Sequence, residues 1–478
     1  MYPILNRSLS NIIVTDSAIP LRFPSAARAN PGLRIVSALF LSQACALAVL
    51  SIFGPNLDAR NSILVVTMSG LFSICVFYAA GLRWYFNKSA LKLLLIAYVL
   101  RLLVGVVHYL TIMDPNYFEN PGFFSYLWDF KWMHESLSFV SNWWHLDGFF
   151  SPLPDWYFQA TKNAYLNMYS GLLYYFSGVN ALNIAPWNSL HNIYTAALIG
   201  MLALQEGGTR KQALFAMTLA AFQPFGFISS LMWRDSVGQS FLVLGVYLLV
   251  TYRRRIILCT LLLPVAAFLT YTYREPYLMV ILTGIIAMWL IQRQFSVAKK
   301  VIIMAAVVSV TLASQLFSIL WNIGIEQRSL SGQISSQKFI YLPLRALRAV
   351  MGPFPWWQIF DRPDGYEYMP ADLAQAAFNV AVMLIVIPEC WRQWKRSRFI
   401  DPSLLFGMLF CIGGVVATGV HMAYVSAGMV LLLPMACKGR ISWFRAFLFS
   451  GSFFFAANLV YWLTGLYKTG SIMGITGY

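Results

Sequence analysis

The stretch "AYLNMYSGLLYYFSGVNALN", residues 164–183, decides how this chain is threaded. It is apolar and aromatic enough to cross a bilayer, yet Asn and Gly interrupt it. If it crosses, "GGTRK" (207–211) and the triplet Arg253–Arg255 fall on the side opposite the other basic loops. If it lies in the interface or re-enters, every short basic loop falls on one side. Positive charge collects on the cytosolic side of membrane proteins, so the second reading is preferred.

Working outward, apolar runs recur on both sides of this stretch. We read spans at 34–53, 62–82, 91–112, 188–205, 213–230, 237–252, 256–272, 276–292, 301–321, 371–391, 404–420, 423–437 and 446–466. The expected fold is an all-α, polytopic transmembrane bundle of about 13 spans, with one interfacial or re-entrant helix and two long periplasmic loops, 113–187 and 322–370. Residues 1–33 read as a cytosolic tail with no cleavable signal peptide, 34–466 as the transmembrane domain and 467–478 as a periplasmic tail. Composition agrees: 59 % of the 478 residues are hydrophobic and only 11 % charged, which cannot cover a soluble surface.

With the N-terminus inside, 22 basic residues and four acids fall on the cytosolic side, against 11 basic residues and 14 acids outside. The net charge of +16 therefore describes a membrane face, not a nucleic-acid surface. The four inner acids are Asp16, Glu206, Glu389 and Asp401. The six cysteines show no CxxC or metal-ligand spacing and predict no disulfide framework. Walker A, HExxH and GxSxG sequences are absent, which argues against ATP use, a zinc protease and a serine hydrolase.

Two short outer turns carry Arg followed by an acid: "WRDS" with Arg234 and Asp235, and "YREPY" with Arg274 and Glu275. Sequence neighbours on a helix point different ways, so a cross-pair such as Arg234 with Glu275 is expected. Arg101 lies mid-span and shares a helix face with His108, seven residues on. Intramembrane Arg needs a partner or a wet cavity. Either a neighbouring helix pairs with it, or that face lines a cavity open toward Asp114. Asp114 is a candidate general base, with Glu119, Asp129 and Glu135 as rivals. Arg345 and Arg348 in the second loop suit phosphate, and His421 closes a span at the outer depth.

The order of these features is familiar. A long acidic outer loop is followed by "NMYSGLLYYFSGVN" and "PWNSLHNIYTAALIGMLAL", then "AFQPFGFISSLMWRDS", "YREPYL" and "PLRALRAVMGPFPWW". This resembles polytopic bacterial proteins of exopolysaccharide and O-antigen pathways, similar to C-type-fold glycosyltransferases and polysaccharide polymerases, over roughly residues 100–370. The resemblance implies an inner-membrane enzyme taking a polyprenyl-phosphate- or diphosphate-linked sugar donor to a glycan or lipid acceptor at the periplasmic face. In the C-type pattern Asp114 is the base; in the polymerase pattern Arg234, Arg274, Arg345 and His421 carry the site. Two extra spans precede the first loop and no DxD or ExD stands beside Asp114, so a divalent metal is allowed but not specified. Taken together, Asp114, Asp235, Glu275 and His421 are the candidate catalytic groups. Arg101, His108, Arg234, Arg274, Arg345 and Arg348 are the candidate substrate-binding groups. The rival classes are a transporter or flippase of lipid-linked glycans and a non-catalytic subunit of an export system.

Overall fold

The computed structural model describes residues 31–54, 59–112, 125–161, 163–224, 235–273, 277–292, 369–397, 400–418 and 422–463, with residues 298 and 305. Every regular element among them is helical. In chain order these are α1 (Pro31–Phe53), α2 (Ala59–Ala80), α3 (Lys88–Ile112), α4 (Ser125–Asp147), α5 (Asp155–Ala160), α6 (Ala164–Ser177), α7 (Ile184–Gln205), α8 (Arg210–Ala221), α9 (Asp235–Tyr252), α10 (Ile256–Tyr273), α11 (Tyr277–Gln292), α12 (Met369–Ser397), α13 (Pro402–Thr418), α14 (Met422–Ala436) and α15 (Trp443–Leu463). Short 3-10 turns stand at Leu82–Trp84 and Ala181–Asn183.

Five described stretches are long and apolar enough to cross a membrane: Pro31–Phe53, Asn61–Ala80, Lys88–Val107, Asp235–Tyr252 and Ala374–Lys395. Shorter apolar helices add to these, including Ile257–Tyr273 and Val425–Ala436. Helices α1, α2 and α3 turn large side chains such as Phe40, Leu64 and Ile96 outward, as a lipid-facing rim would. Helix α7 sits at the centre; Ile184 through Leu204 are all buried. Small residues let the helices close up. A Cβ on Gly428 would stand 2.7 Å from the Gly407 carbonyl oxygen, so α13 and α14 meet backbone to backbone, the packing that membrane bundles favour.

The two ends of the bundle differ. At one, which we call the basic end, a Cβ on Gly32 would meet Thr251 and Tyr252, the Gln205 amide donates to Thr251 at 2.8 Å, and Arg34 lies over Trp84 at 4.6 Å. Lys438 donates to the Glu206 carbonyl at 2.7 Å and to Asp401 at 2.9 Å. The start of α1 and the turns after α2, α7, α9, α12 and α14 thus share one end. The opposite, aromatic end gathers α4, α5 and α6.

Helix α6 contains most of the stretch quoted at the outset. Tyr165 at its start packs on Phe268 and Tyr271 in the last turns of α10. Phe176 at its finish abuts Gly54, just past α1. Asn180 and Asn183 then engage Ser62 near the start of α2. Both ends of α6 therefore lie at the aromatic end, and the helix crosses that end without traversing the bundle. Its 14 residues reach only about 21 Å at 1.5 Å per residue.

One span differs from its sequence reading. Residues 213–230 read as one continuous crossing; α8 instead stops at Ala221, and Phe222 and Gln223 leave the helix. Pro224 explains the stop. It has no N–H to give the Ala220 carbonyl, and its ring collides with that carbonyl in a continuing helix. Twelve residues rise about 18 Å, so α8 ends well inside a hydrocarbon core of about 30 Å.

Candidate functional site: a buried polar layer beneath the aromatic end

Ending a helix inside the bundle leaves carbonyls without donors, and each is costly away from water. Arg101 answers that need. Its Nε donates to the Ala221 carbonyl at 2.9 Å and its Nη2 to the same oxygen at 2.6 Å and to Ala220 at 3.5 Å. The side chain is 1 % exposed. A cation at a helix C-terminus also meets the negative end of the macrodipole. These contacts account for a mid-span Arg by the pairing reading, with a broken helix end as a partner among the described residues.

Gln223 continues from that break. Its Nε2 reaches the Ser426 carbonyl of α14 at 3.5 Å, and Gln239 of α9 donates to the same oxygen at 3.3 Å. Gln239 lies one turn beyond Asp235, which opens α9, is 4 % exposed and sits where a carboxylate complements the helix N-terminus. Ser236, beside it, accepts from Asn192 Nδ2 of α7 at 3.0 Å. The structure thus links Arg101 and Asp235 through one buried layer: the end of α8, Gln223, the Ser426 carbonyl, Gln239 and the start of α9.

Above this layer, His191 of α7 meets α6. Its Nδ1 lies 2.9 Å from the Trp187 carbonyl and its Nε2 lies 3.0 Å from the Tyr169 hydroxyl. A carbonyl can only accept, so Nδ1 carries the proton and Nε2 accepts from Tyr169. Between α4 and α6, Asn167 donates to Ser136 at 3.1 Å, and Ser136 pairs with the Tyr157 hydroxyl at 2.6 Å. His134 pairs with Tyr174 at 2.7 Å. Burial holds the His134 imidazole below its ordinary pKa, against the pull of Glu135.

Glycine fixes how α9 and α10 meet. A Cβ on Gly238 would run into the Tyr273 ring. Tyr273 directly precedes Arg274, and Gly238 lies one turn after Asp235, so the described flanks of the two Arg–acid turns pack against each other. Arg234, Arg274 and Glu275 themselves lie outside the described residues, as do Asp114, Glu119, Arg345, Arg348 and His421. His108 falls in the last turns of α3. Of the rival bases, Glu135 is exposed on α4. Among the described residues no group of three His, Cys, Asp or Glu is placed to hold a metal ion.

Sequence reasoning passed over Asn192, Gln223, Gln239 and Ser426. The signal was available for three of them: amides inside apolar spans need partners. Ser426 acts through its backbone, which no side-chain pattern reveals.

Comparison of the chain with family models, with curated proteins and with solved structures gives no match.

Proposed function

We propose that this chain is an integral inner-membrane glycosyltransferase or polysaccharide polymerase of about 13 spans. The basic end and the N-terminus face the cytosol, and the aromatic end faces the periplasm. The donor is a sugar or glycan on polyprenyl phosphate or diphosphate. Arg234 and Arg274 hold its phosphate, a task suited to planar two-point donors. Asp114 takes the proton of an acceptor hydroxyl as that oxygen bonds to the anomeric carbon. The bond from that carbon to the phosphate oxygen breaks, and the polyprenyl (di)phosphate leaves with the bonding electrons. The 322–370 loop, with Arg345 and Arg348, covers the lipid tail or the acceptor, and His421 closes the site.

The observation that carries this reading is the seating of Tyr273 on Gly238. It joins the flanks of the two Arg–acid turns at one end of the bundle, directly under α6. Two guanidiniums there would act on one anion at the membrane edge, where low dielectric strengthens the contact.

A transporter is the second reading, favoured by the interrupted helix at Ala221, since discontinuous helices bind substrate in transporters. Against it, that helix end is already taken by Arg101.

Deletion of the gene, followed by analysis of lipid-linked glycans, separates these. Loss of a transferase leaves its lipid-linked donor to accumulate at the outer face; loss of a flippase strands it at the inner face. Complementation with Asp114→Asn at wild-type expression should restore about 10²–10⁴-fold less product. Full restoration would remove Asp114 as the base.

A further inference from the structure

The turn that joins α4 to α5, "LDGFFSP" at 146–152, is closely fastened, yet its largest side chains stay outside. The Ser151 N–H donates to the Gly148 carbonyl at 3.1 Å and the Ser151 hydroxyl to the Asp147 carbonyl. Trp143 Nε1 donates to the Pro152 carbonyl at 3.1 Å. Phe149 and Phe150 touch each other at 4.0 Å and stand on the buried Trp144 ring at 5.8 and 5.3 Å. Even so, Leu146 is 84 % and Phe150 57 % exposed. The backbone at Phe150 is left-handed, φ 64°, a conformation that strains a bulky side chain. A turn bathed in water is ordinarily built from Gly, Asn, Asp or Ser at such a position. This one accepts strain and still presents three large apolar side chains.

What lies beside the turn identifies its partner. The exposed positions Leu33, Phe40, Leu41, Ala44, Ala48 and Ile52 follow one face of α1 at helical spacing, the stripe a lipid-facing helix shows. At the aromatic end that stripe finishes at Ile52 and Phe53, both exposed. The turn sits at this finish: Phe149 packs on Phe176 at 5.7 Å, Phe176 abuts Gly54, and Leu47 of α1 packs into the cluster of Val140 and Trp144. We propose that Leu146, Phe149 and Phe150 dip into the outer leaflet beside α1, anchoring the cap formed by α4, α5 and α6 to the bilayer. Asp147, exposed at the foot of the turn, limits the depth to the boundary between headgroups and acyl chains, since a carboxylate is costly deeper. Interfacial elements bury an apolar face to about 5–10 Å at that boundary. Of the functional reading above, this shares only the outward facing of the aromatic end, and the measurement below does not depend on it.

The test places a nitroxide at Leu146→Cys or Phe150→Cys in the full chain, with the native cysteines replaced, in phosphatidylcholine nanodiscs. Relaxation of the label by oxygen, which collects in lipid, is compared with relaxation by a water-soluble nickel chelate. Leu146 is the more exposed of the two, so its replacement leaves the packing beneath the turn in place. Phe40→Cys on the α1 stripe is the lipid reference and Arg254→Cys, an exposed charge at the basic end, the water reference. Both turn labels should be relaxed more by oxygen than by nickel, as at Phe40→Cys, with the order reversed at Arg254→Cys. Stronger relaxation by nickel at either turn position would put the turn in water, facing a soluble partner, and overturn the anchor. Shielding from both reagents would also overturn it, because protein, another segment of this chain or a second copy, would then cover the turn.

Discussion

The two ends of this bundle handle buried polarity in opposite ways. At the basic end, Glu206 accepts from the Ser403 N–H and hydroxyl, both at 2.7 Å, and so caps the first turn of α13. Lys438 ties that carboxylate's backbone to Asp401. Three turns far apart in sequence are thereby closed by ions that answer one another. Beneath the aromatic end the described layer is mostly neutral: amides, hydroxyls and backbone carbonyls, with Arg101 and Asp235 as charged members among the described residues. Ions matched to ions make a fixed fastening. A layer of neutral donors and acceptors around a broken helix is held by many separate hydrogen bonds instead. The contrast places an ionic fastening at one end and a mostly neutral polar layer at the other.

The fastening should be the more fragile of the two to single changes. Lys438→Met leaves two buried carboxylates facing each other; Glu206 is fully buried and Asp401 8 % exposed at the side chain. Breaking such a cluster costs about 3–5 kcal/mol, visible as a large drop in melting temperature in detergent. Adding Glu206→Gln and Asp401→Asn should return most of it. A single variant that melts as wild type would show the cluster to be wet and the contrast between the ends to be mistaken.

A smaller effect is expected at the break. Arg101→Leu strips the Ala221 carbonyl of its side-chain donor, at about 1–3 kcal/mol for the unmet group, while Ala220 keeps the Gln223 N–H at 3.4 Å. Pro224→Ala removes the ring that ends α8, so in the double variant the helix can extend, offer Ala221 a backbone donor and recover part of the loss. Pro224→Ala alone, with Arg101 in place, should gain little. If the double variant is no better than Arg101→Leu, the Arg serves something other than the helix end.

The smallest effect is a pH dependence. Burial raises the Glu206 carboxyl above its ordinary value of 4.5, with Lys438 opposing. In the window between the ordinary and the raised value the folded chain holds more protons than the unfolded chain, so stability falls as pH rises through it. Glu206→Gln should flatten this slope. A wild-type slope of opposite sign would mean that Lys438 outweighs burial.

Much of this was legible in the residues. Basic loops and apolar runs predict the helices and which turns share an end, and the same basic loops, by all falling on one side, favour a segment 164–183 that does not cross. The helices α4 and α5 were not read, because a long aromatic loop carries no clean 3.6-residue pattern. The interruption at Ala221 was passed over although Pro224 announces it, since the apolar run continues through it. Arg101 was legible as a charge in need of a partner. That its partner is a backbone end could not be seen, because carbonyls freed by a break leave no trace in side-chain type. The fastening was half visible: Glu206 and Asp401 are two of only four acids assigned to a strongly basic side, and such acids invite the question of what holds them.

Everything proposed for the aromatic end depends on its facing outward. In a chain whose native cysteines are replaced, single cysteines at Val179, exposed beside α6, and at Arg254, exposed at the basic end, can be offered an impermeant thiol reagent on intact cells. Labelling of Val179→Cys with protection of Arg254→Cys until the cells are opened is the expected result. Labelling of Arg254→Cys with protection of Val179→Cys would turn the molecule over, and the donor site at the Arg–acid turns would fall with it.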